Sequence, residues 1–474
     1  MGPTSDAIPH EPRSYRLLAA LFAISIAIAL GAVWSFQHSR ADQSLFTLSN
    51  LVGPTTQSLL QGEGLTTCTE AMGTPHNPIC FHAARMPLPS LIVGLGITLF
   101  GNHYLRVAFF KALLLLLPLE LALYFAWRRT PRSTGRRRAT ALLLLAPFAI
   151  FAFLANVVNL QVEEGYAYSL LALAVAILFF AISPARKSIP HALLFALALD
   201  GVYLTKSALA PAVIVLLIGY LLLERRPTLR LLVLILTISA PIGWALHQHH
   251  ASGRYSIGTS LDGINLHKGN NSSFLEHYPP APGDTLDRFD SQLNQGQHFA
   301  DEWSFSDYHR HAALDYIRTH PRQTLQAAAR KLNVLFFSTR KIGSTEDHGA
   351  TRLAEFAGLA LFRLILWTAI LSAACQLFRS SSPQRRILSG IFLALIAACA
   401  LPYLAGFAYT RHASILIYPA ALMCCRLLSR DEDVGEQNIR QSLRRGKGDG
   451  VPHRPDPHLT PQRLPDRATA SKQL

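Results

Sequence analysis

Acidic residues are scarce in this chain, with 29 Asp and Glu against 44 Lys and Arg. In a soluble protein the resulting formal charge of +15 would point to nucleic acid. Here most of the arginines sit between long apolar runs, so the charge reads as anchorage beside anionic lipid, and no nucleic-acid partner is expected. Cysteine is sparse too, at six residues, and no His/Cys spacing resembles a zinc site despite nineteen histidines. The first apolar run lacks a small-residue cleavage site and is too long for a removable signal peptide, so it is expected to remain as a signal-anchor. The two halves show no matching hydropathy and no matching broken helices, which weighs against a carrier built on repeats.

What the chain does have is a ladder of apolar stretches. They lie near 16–36, 104–127, 141–158, 166–183, 190–205, 208–223, 229–246, 354–377, 387–409 and 413–429, and most are long enough to cross a bilayer. Half the residues are hydrophobic, but it is their clustering that decides the class. The arginines fall on alternate loops: Arg128-Arg129, Arg136-Arg137-Arg138, Arg186-Lys187, Arg225-Arg226 and Arg385-Arg386. Basic loops stay in the cytoplasm, so both termini are expected inside. The expected fold is an all-α polytopic membrane protein with about ten transmembrane helices, outer juxtamembrane helices and one small extracytoplasmic segment.

Boundaries follow from the ladder. A cytoplasmic N-terminus (1–15) precedes an N-terminal transmembrane module (16–246) with a first outer loop at 37–103. An extracytoplasmic segment (247–352), C-terminal transmembrane helices (353–429) and a disordered cytoplasmic tail (430–474) follow. The run from Leu88 to Phe100 is short for a crossing and reads as an interfacial or re-entrant helix. The stretch from Pro321 to Phe337 alternates Arg322, Arg330 and Lys331 with Leu325, Leu332, Leu335 and Phe336, the pattern of an amphipathic helix lying on the membrane. Cys68 and Cys80 share the first outer loop, where a disulfide and two thiols are both open. The other four cysteines lie in spans as small apolar residues.

Ionisable groups where outer loops meet the membrane are costly and mark function. Asp42 follows the first span, and Glu163-Glu164 occupy the next short outer loop. Lys206 breaks an apolar hairpin, Arg85 and Arg106 flank the short interfacial run, and Arg411-His412 fill the last outer turn. Taken singly, each acid can cap a helix and each cation can snorkel. Together they are expected to surround one outward-facing cavity. Cations at headgroup depth suit a lipid phosphate, and a carboxylate beside them suits a general base for a hydroxyl.

At these residues the chain resembles the GT-C superfamily of polytopic glycosyltransferases, in particular family 39 with the protein O-mannosyltransferases and the lipid A aminoarabinose transferases. Arg85-Met86-Pro87-Leu88-Pro89-Ser90 is similar to the family's Arg-x-Pro-Leu-Tyr-Pro, and Leu204-Thr205-Lys206-Ser207 to its Leu-Thr-Arg-Pro. Gly253-Arg254-Tyr255 through Asn265-Leu266-His267-Lys268-Gly269-Asn270-Asn271 resembles the loop after the seventh span, and Thr410-Arg411-His412 with Tyr418-Pro419 the last outer turn. The chain departs from the pattern at Gln43, where relatives carry a second acid, at Pro89-Ser90, and at Lys206, which lacks the arginine fork.

The resemblance implies transfer of a sugar from a polyprenyl-phosphate donor to an acceptor hydroxyl on a lipid, glycan or protein. Asp42 would be the base, Glu163 or Glu164 would orient the acceptor or a divalent ion, and Arg85, Arg106, Lys206 and Arg411 would hold the lipid phosphate. Asn265 and Asn270 would lie in the loop covering the acceptor. No cofactor is otherwise implied. Chain length and Arg/Ala-rich composition point to a bacterial inner membrane, with the site facing the periplasm or exterior. The rival is a transporter or lipid flippase using the same cavity, for which Glu120 and Asp200 are candidate mid-span coupling acids; equally, they could pair with Lys111 or with backbone in helix packing.

Overall fold

The computed structural model of the protein describes residues 12–48, 51–74, 77–130, 133–182, 188–279, 293–294, 297–339 and 350–428. All belong to one compact unit, Met1–Arg430; the expected tail at 430–474 and most of the expected N-terminal segment lie outside the described residues. From the N-terminus, α1 (Pro12–Gln37) leads to α2 (Val52–Leu60), a hairpin of β1 (Thr67–Thr74) and β2 (Asn77–Phe81), α3 (Leu88–Phe100) and α4 (Tyr104–Arg128). Then come α5 (Thr134–Leu145), α6 (Phe151–Val158), α7 (Glu164–Ala176), α8 (Ile189–Thr205), α9 (Ala210–Leu223) and α10 (Pro227–Ser252). The segment between α10 and the C-terminal helices contributes α11 (Asp262–Lys268), α12 (Phe274–His277), α13 (Glu302–Thr319) and α14 (Pro321–Phe336). Last are α15 (Ala350–Arg379), α16 (Pro383–Ala405), α17 (Thr410–Ser414) and α18 (Ile417–Leu428).

Six of these helices, α7 counted with the helical turn that continues it to Ala181, are long and apolar enough to cross a membrane, and three shorter apolar ones accompany them, so the chain is an integral membrane protein. The expected count of about ten spans is not confirmed, and several of the expected stretches are broken. The stretch expected at 141–158 bends through a 3₁₀ turn at Ala146–Ala149, where Pro147 cannot donate to the helix ladder. That expected at 413–429 yields the 12-residue α18 after a separate turn of helix. The fold is helical rather than purely so, because Cys68 and Cys80 are disulfide-bonded across an antiparallel pair in which Thr67 faces Phe81.

At the centre stands α7, packed against α4, α8 and α18; 89% of its apolar window is buried, against 22% for α10. Gly165, Ala167, Ala172, Ala174 and Ala176 let its neighbours approach closely, which is how apolar helices associate without a hydrophobic drive between them. By contrast, Leu231, Ile235, Ile238, Ile242 and Leu246 of α10 stand exposed, the face a helix offers to lipid. This helix runs past the expected boundary at 246 and stops at Gly253, whose φ of 73° glycine adopts without a Cβ penalty. Further along, Asp301 caps α13: its carboxylate accepts from the N–H groups of Trp303 and Ser304, and the Ser304 hydroxyl accepts from Asp301 N–H.

Of the apolar residues expected on the amphipathic helix, Leu325 and Leu332 of α14 are exposed beside Arg322 and Arg330, whereas Leu335 and Phe336 are buried in the protein. Lys331 is a further departure. Its side chain is buried, with Nζ donating to the carbonyl of Leu404 at 3.1 Å and lying 5.0 Å from the Phe274 ring.

Candidate active site

The arginine-rich turns and the charged cavity occupy opposite ends of the same helices. Arg385 and Arg386 open α16 whereas Pro402 and Tyr403 near its other end line the cavity; Pro211 begins α9 at the cavity and Arg225 follows its far end. The cavity encloses about 370 Å³. Four cations line it, Arg85, Lys206, Lys268 and Arg411, with three carboxylates, Glu163, Glu164 and Asp262.

Its helix-side wall is a network of ion pairs. Glu163 and Glu164 begin α7, where the helix dipole favours negative charge. Lys206 is the first residue beyond α8 and takes an extended backbone, which turns its side chain from the ladder toward them. Nζ reaches Glu164 Oε1 at 2.6 Å and Glu163 Oε2 at 3.5 Å, while Arg85 Nη1 lies 3.2 Å from Glu163 Oε1. Burial disfavours the ammonium, but the two carboxylates outweigh it and hold the Lys206 pKa above the ordinary lysine value. His412 completes the network. Its Nδ1 accepts from Tyr409 N–H at 3.1 Å, which places the proton on Nε2, 3.4 Å from Glu164 Oε1. Burial, with Lys206 next, pushes its pKa well below the usual histidine range, so the ring is neutral and stacks on Tyr403 at 4.1 Å.

The outer wall is built differently. Asp262 opens α11, and its carboxylate accepts from the Thr259 N–H at 2.9 Å and the Thr259 hydroxyl at 2.7 Å, fixing the entry to the helix. Asn265, Leu266 and Lys268 face the cavity from the same helix. Two cations sit over rings: Lys268 Nζ is 5.5 Å from the Phe407 centroid, and the Arg411 guanidinium 4.8 Å from that of Tyr409. Nε of Arg411 is buried without a hydrogen-bond partner. The wall is seated on α16 by close backbone approach, since a Cβ on Gly269 would meet the carbonyl oxygen of Gly406 at 1.8 Å. Asn270 reinforces that seat, donating to Ala405 O at 2.6 Å.

The structure therefore brings Arg85, Glu163, Glu164, Lys206, Asn265 and Arg411 into one cavity. It places three other expected residues elsewhere. Asp42 is exposed on the segment after α1, Arg106 is exposed in the first turn of α4, and Asn270 is buried behind the cavity wall. Lys111 pairs with neither Glu120 nor Asp200; it donates to Asn159 O at 2.7 Å over the Tyr166 ring and so supports the loop carrying Glu163. Asp262, Lys268, Tyr403, Phe407, Tyr409 and the His412–Glu164 pair are additions from the structure. The turn at 410–412 signalled His412, and the loop at 265–271 signalled Lys268; nothing in the sequence marks Asp262. No cluster of His, Cys, Asp or Glu fit to hold a metal occurs among the described residues.

No family model matches the chain, and no curated protein matches it. Among solved structures it is similar to the archaeal oligosaccharyltransferase AglB from Archaeoglobus fulgidus, solved with an inhibitory peptide and a dolichol-phosphate. Identity is 10% and the TM-score 0.40, over 93% of this chain and 52% of that one. The chain thus spans about half the length of AglB, and a likeness of that depth does not by itself assign a substrate or a reaction.

Proposed function

We propose that this chain is a membrane glycosyltransferase that moves a sugar from a polyprenyl-phosphate donor to an acceptor hydroxyl at the outer face of the membrane. One observation carries the reading: a cavity at the ends of apolar helices, opposite the basic turns, in which cations outnumber carboxylates and Arg411 has no carboxylate within ion-pair distance among the described residues. A lipid phosphate departing there gains charge-assisted bonds from cations already fixed in place. Arg411 and Lys268 receive the phosphate, while Arg85 and Lys206 hold the two glutamates and set the local field. The donor lipid, the sugar and the outward sidedness all belong to this proposal.

The acceptor proton needs a carboxylate. Glu163 and Glu164 each face a cation within 3.5 Å, and Asp262 is tied to Thr259. Asp42, exposed and outside the cavity wall, is kept as the base by the family resemblance alone, and Asp262 is its rival on the wall itself. Cells lacking the protein, complemented with wild type, Asp42→Asn, Asp262→Asn or Arg411→Ala at matched membrane levels, separate these readings by mass spectrometry of envelope glycolipids and glycoproteins. One sugar should vanish on deletion and return with wild type but not with Arg411→Ala; whichever aspartate variant also fails names the base. An unchanged glycan profile on deletion would falsify the transferase reading.

Transport is the second reading, favoured by two mid-helix acids with a buried oxygen that lacks a hydrogen-bond partner, Glu120 Oε2 and Asp200 Oδ1. It predicts substrate flux across vesicles that stops in Glu120→Gln or Asp200→Asn, with no new glycosidic bond.

A further inference from the structure

The exposed residues of α10 form one stripe. Leu231, Ile235, Ile238, Ile242 and Leu246 recur at helical spacing, opposite the buried Leu229, Val233, Thr237, Trp244 and Gln248. At 1.5 Å per residue the stripe from Leu231 reaches His249 after about 27 Å, close to the thickness of a bilayer's hydrocarbon core. It does not stop there. Beyond Gly253 the chain folds back so that Tyr255 stacks on His249, ring centroids 4.0 Å apart and 13° from parallel, and Ile257 follows. Both side chains are open, Tyr255 at 63% and Ile257 at 64% exposure, which is costly for a large apolar group in water.

The backbone beneath them is fixed. Tyr203 donates its hydroxyl to Ile257 O at 2.5 Å, and the Trp244 indole donates to Gly258 O at 3.0 Å. The loop cannot turn its apolar side chains inward without breaking both bonds. Nearby, Arg254 pairs with Asp307 at 2.6 Å and lies 5.0 Å from the Trp303 ring, which ties the same loop to α13.

We propose that residues 253–258 are a membrane-interface anchor, with Tyr255 and Ile257 seated among the headgroups and upper acyl chains of the outer leaflet. The occupant is lipid because the loop continues a stripe that is already lipid-facing, at the depth where amphipathic aromatics concentrate. The consequence reaches the cavity. The anchor runs directly into Thr259 and Asp262, which begin the outer wall, so the bilayer surface fixes the height of that wall. The anchor keeps this role whether or not the cavity transfers sugar.

The test uses full-length protein in phospholipid vesicles. Tyr255→Trp and Ile257→Trp are compared with wild type, so that the difference in emission reports the new indole over the five native ones. Lipids brominated near the headgroup should quench the difference signal more than lipids brominated near the chain ends. Difference emission untouched by either lipid but quenched by aqueous acrylamide would place the loop in water and overturn the proposal. So would shielding from both quenchers, which would mean that a second copy of the chain covers the face. Either variant alone suffices if the other fails to fold.

Discussion

The two walls of the cavity hold the same kinds of charge by opposite means. On the helix side, Arg85, Glu163, Glu164 and Lys206 neutralise one another across three separate parts of the chain, neutral His412 lies against Glu164, and Glu164 is only 3% exposed. On the outer side, Lys268 and Arg411 lie over aromatic rings, and Asp262 bonds to a neighbour three residues away. A buried ion network is fragile, because removing one member strands another. Arg411 lies over a ring with no carboxylate at ion-pair distance among the described residues, so its removal should cost the fold less. On the proposed function, the first wall is the scaffold and the second the surface that meets substrate.

The sharpest way to break this contrast is Lys206→Met. It leaves the Glu164 carboxylate buried without its nearest counter-charge, and a loss of about 3–5 kcal/mol is expected in thermal or denaturant unfolding of the detergent-solubilised protein. Adding Glu164→Gln should recover part of that loss; no recovery would mean that Lys206 acts through something other than the pair. Gly269→Ala attacks the seat of the outer wall, since the new methyl overlaps the Gly406 carbonyl. It should cost about 1–3 kcal/mol and weaken phosphate binding, with the ion pairs of the other wall intact. Wild-type behaviour on both readouts would show that the outer wall does not depend on that approach.

Lys331, behind the same seat, predicts a pH dependence. Burial lowers its pKa to about 7 from an ordinary value of 10.5. Between those values the unfolded chain holds a proton that the folded chain has given up, so stability rises as pH climbs from 7 toward 10.5 and falls again on the way down. Lys331→Met should flatten that slope; an equal slope in both proteins would assign it to other groups. Arg411→Ala is expected to move stability least, within about 0.5 kcal/mol, because no carboxylate among the described residues lies at ion-pair distance from it and Glu164 keeps Lys206.

How much of this was legible in the sequence follows the same division. Glu163, Glu164, Lys206, Arg85 and Arg411 stood out because a charge beside an apolar run is expensive, and the structure gathers them into one cavity. Asp262 and Lys268 lie in a polar segment where charge is cheap, so their place on the wall depends on how α11 docks, which no local pattern encodes. The placing of Asp42 and Arg106 off the wall is of the same kind, a matter of distances across the bundle. Helix breaks were half legible: Pro147 announces one, whereas the short α18 depends on packing against α5, α7 and α15. The hairpin at 67–81 has no alternating apolar signal, and only its paired cysteines hinted at it.

The most direct test of the central claim is to titrate purified protein with polyprenyl phosphate, comparing wild type with Arg411→Ala and monitoring the folded fraction alongside. The account predicts that wild type binds and that Arg411→Ala binds at least roughly tenfold more weakly while remaining as stable, the size of a lost charge-assisted contact. Equal binding by the two proteins would contradict it, because the lipid phosphate would then be held somewhere other than this cavity.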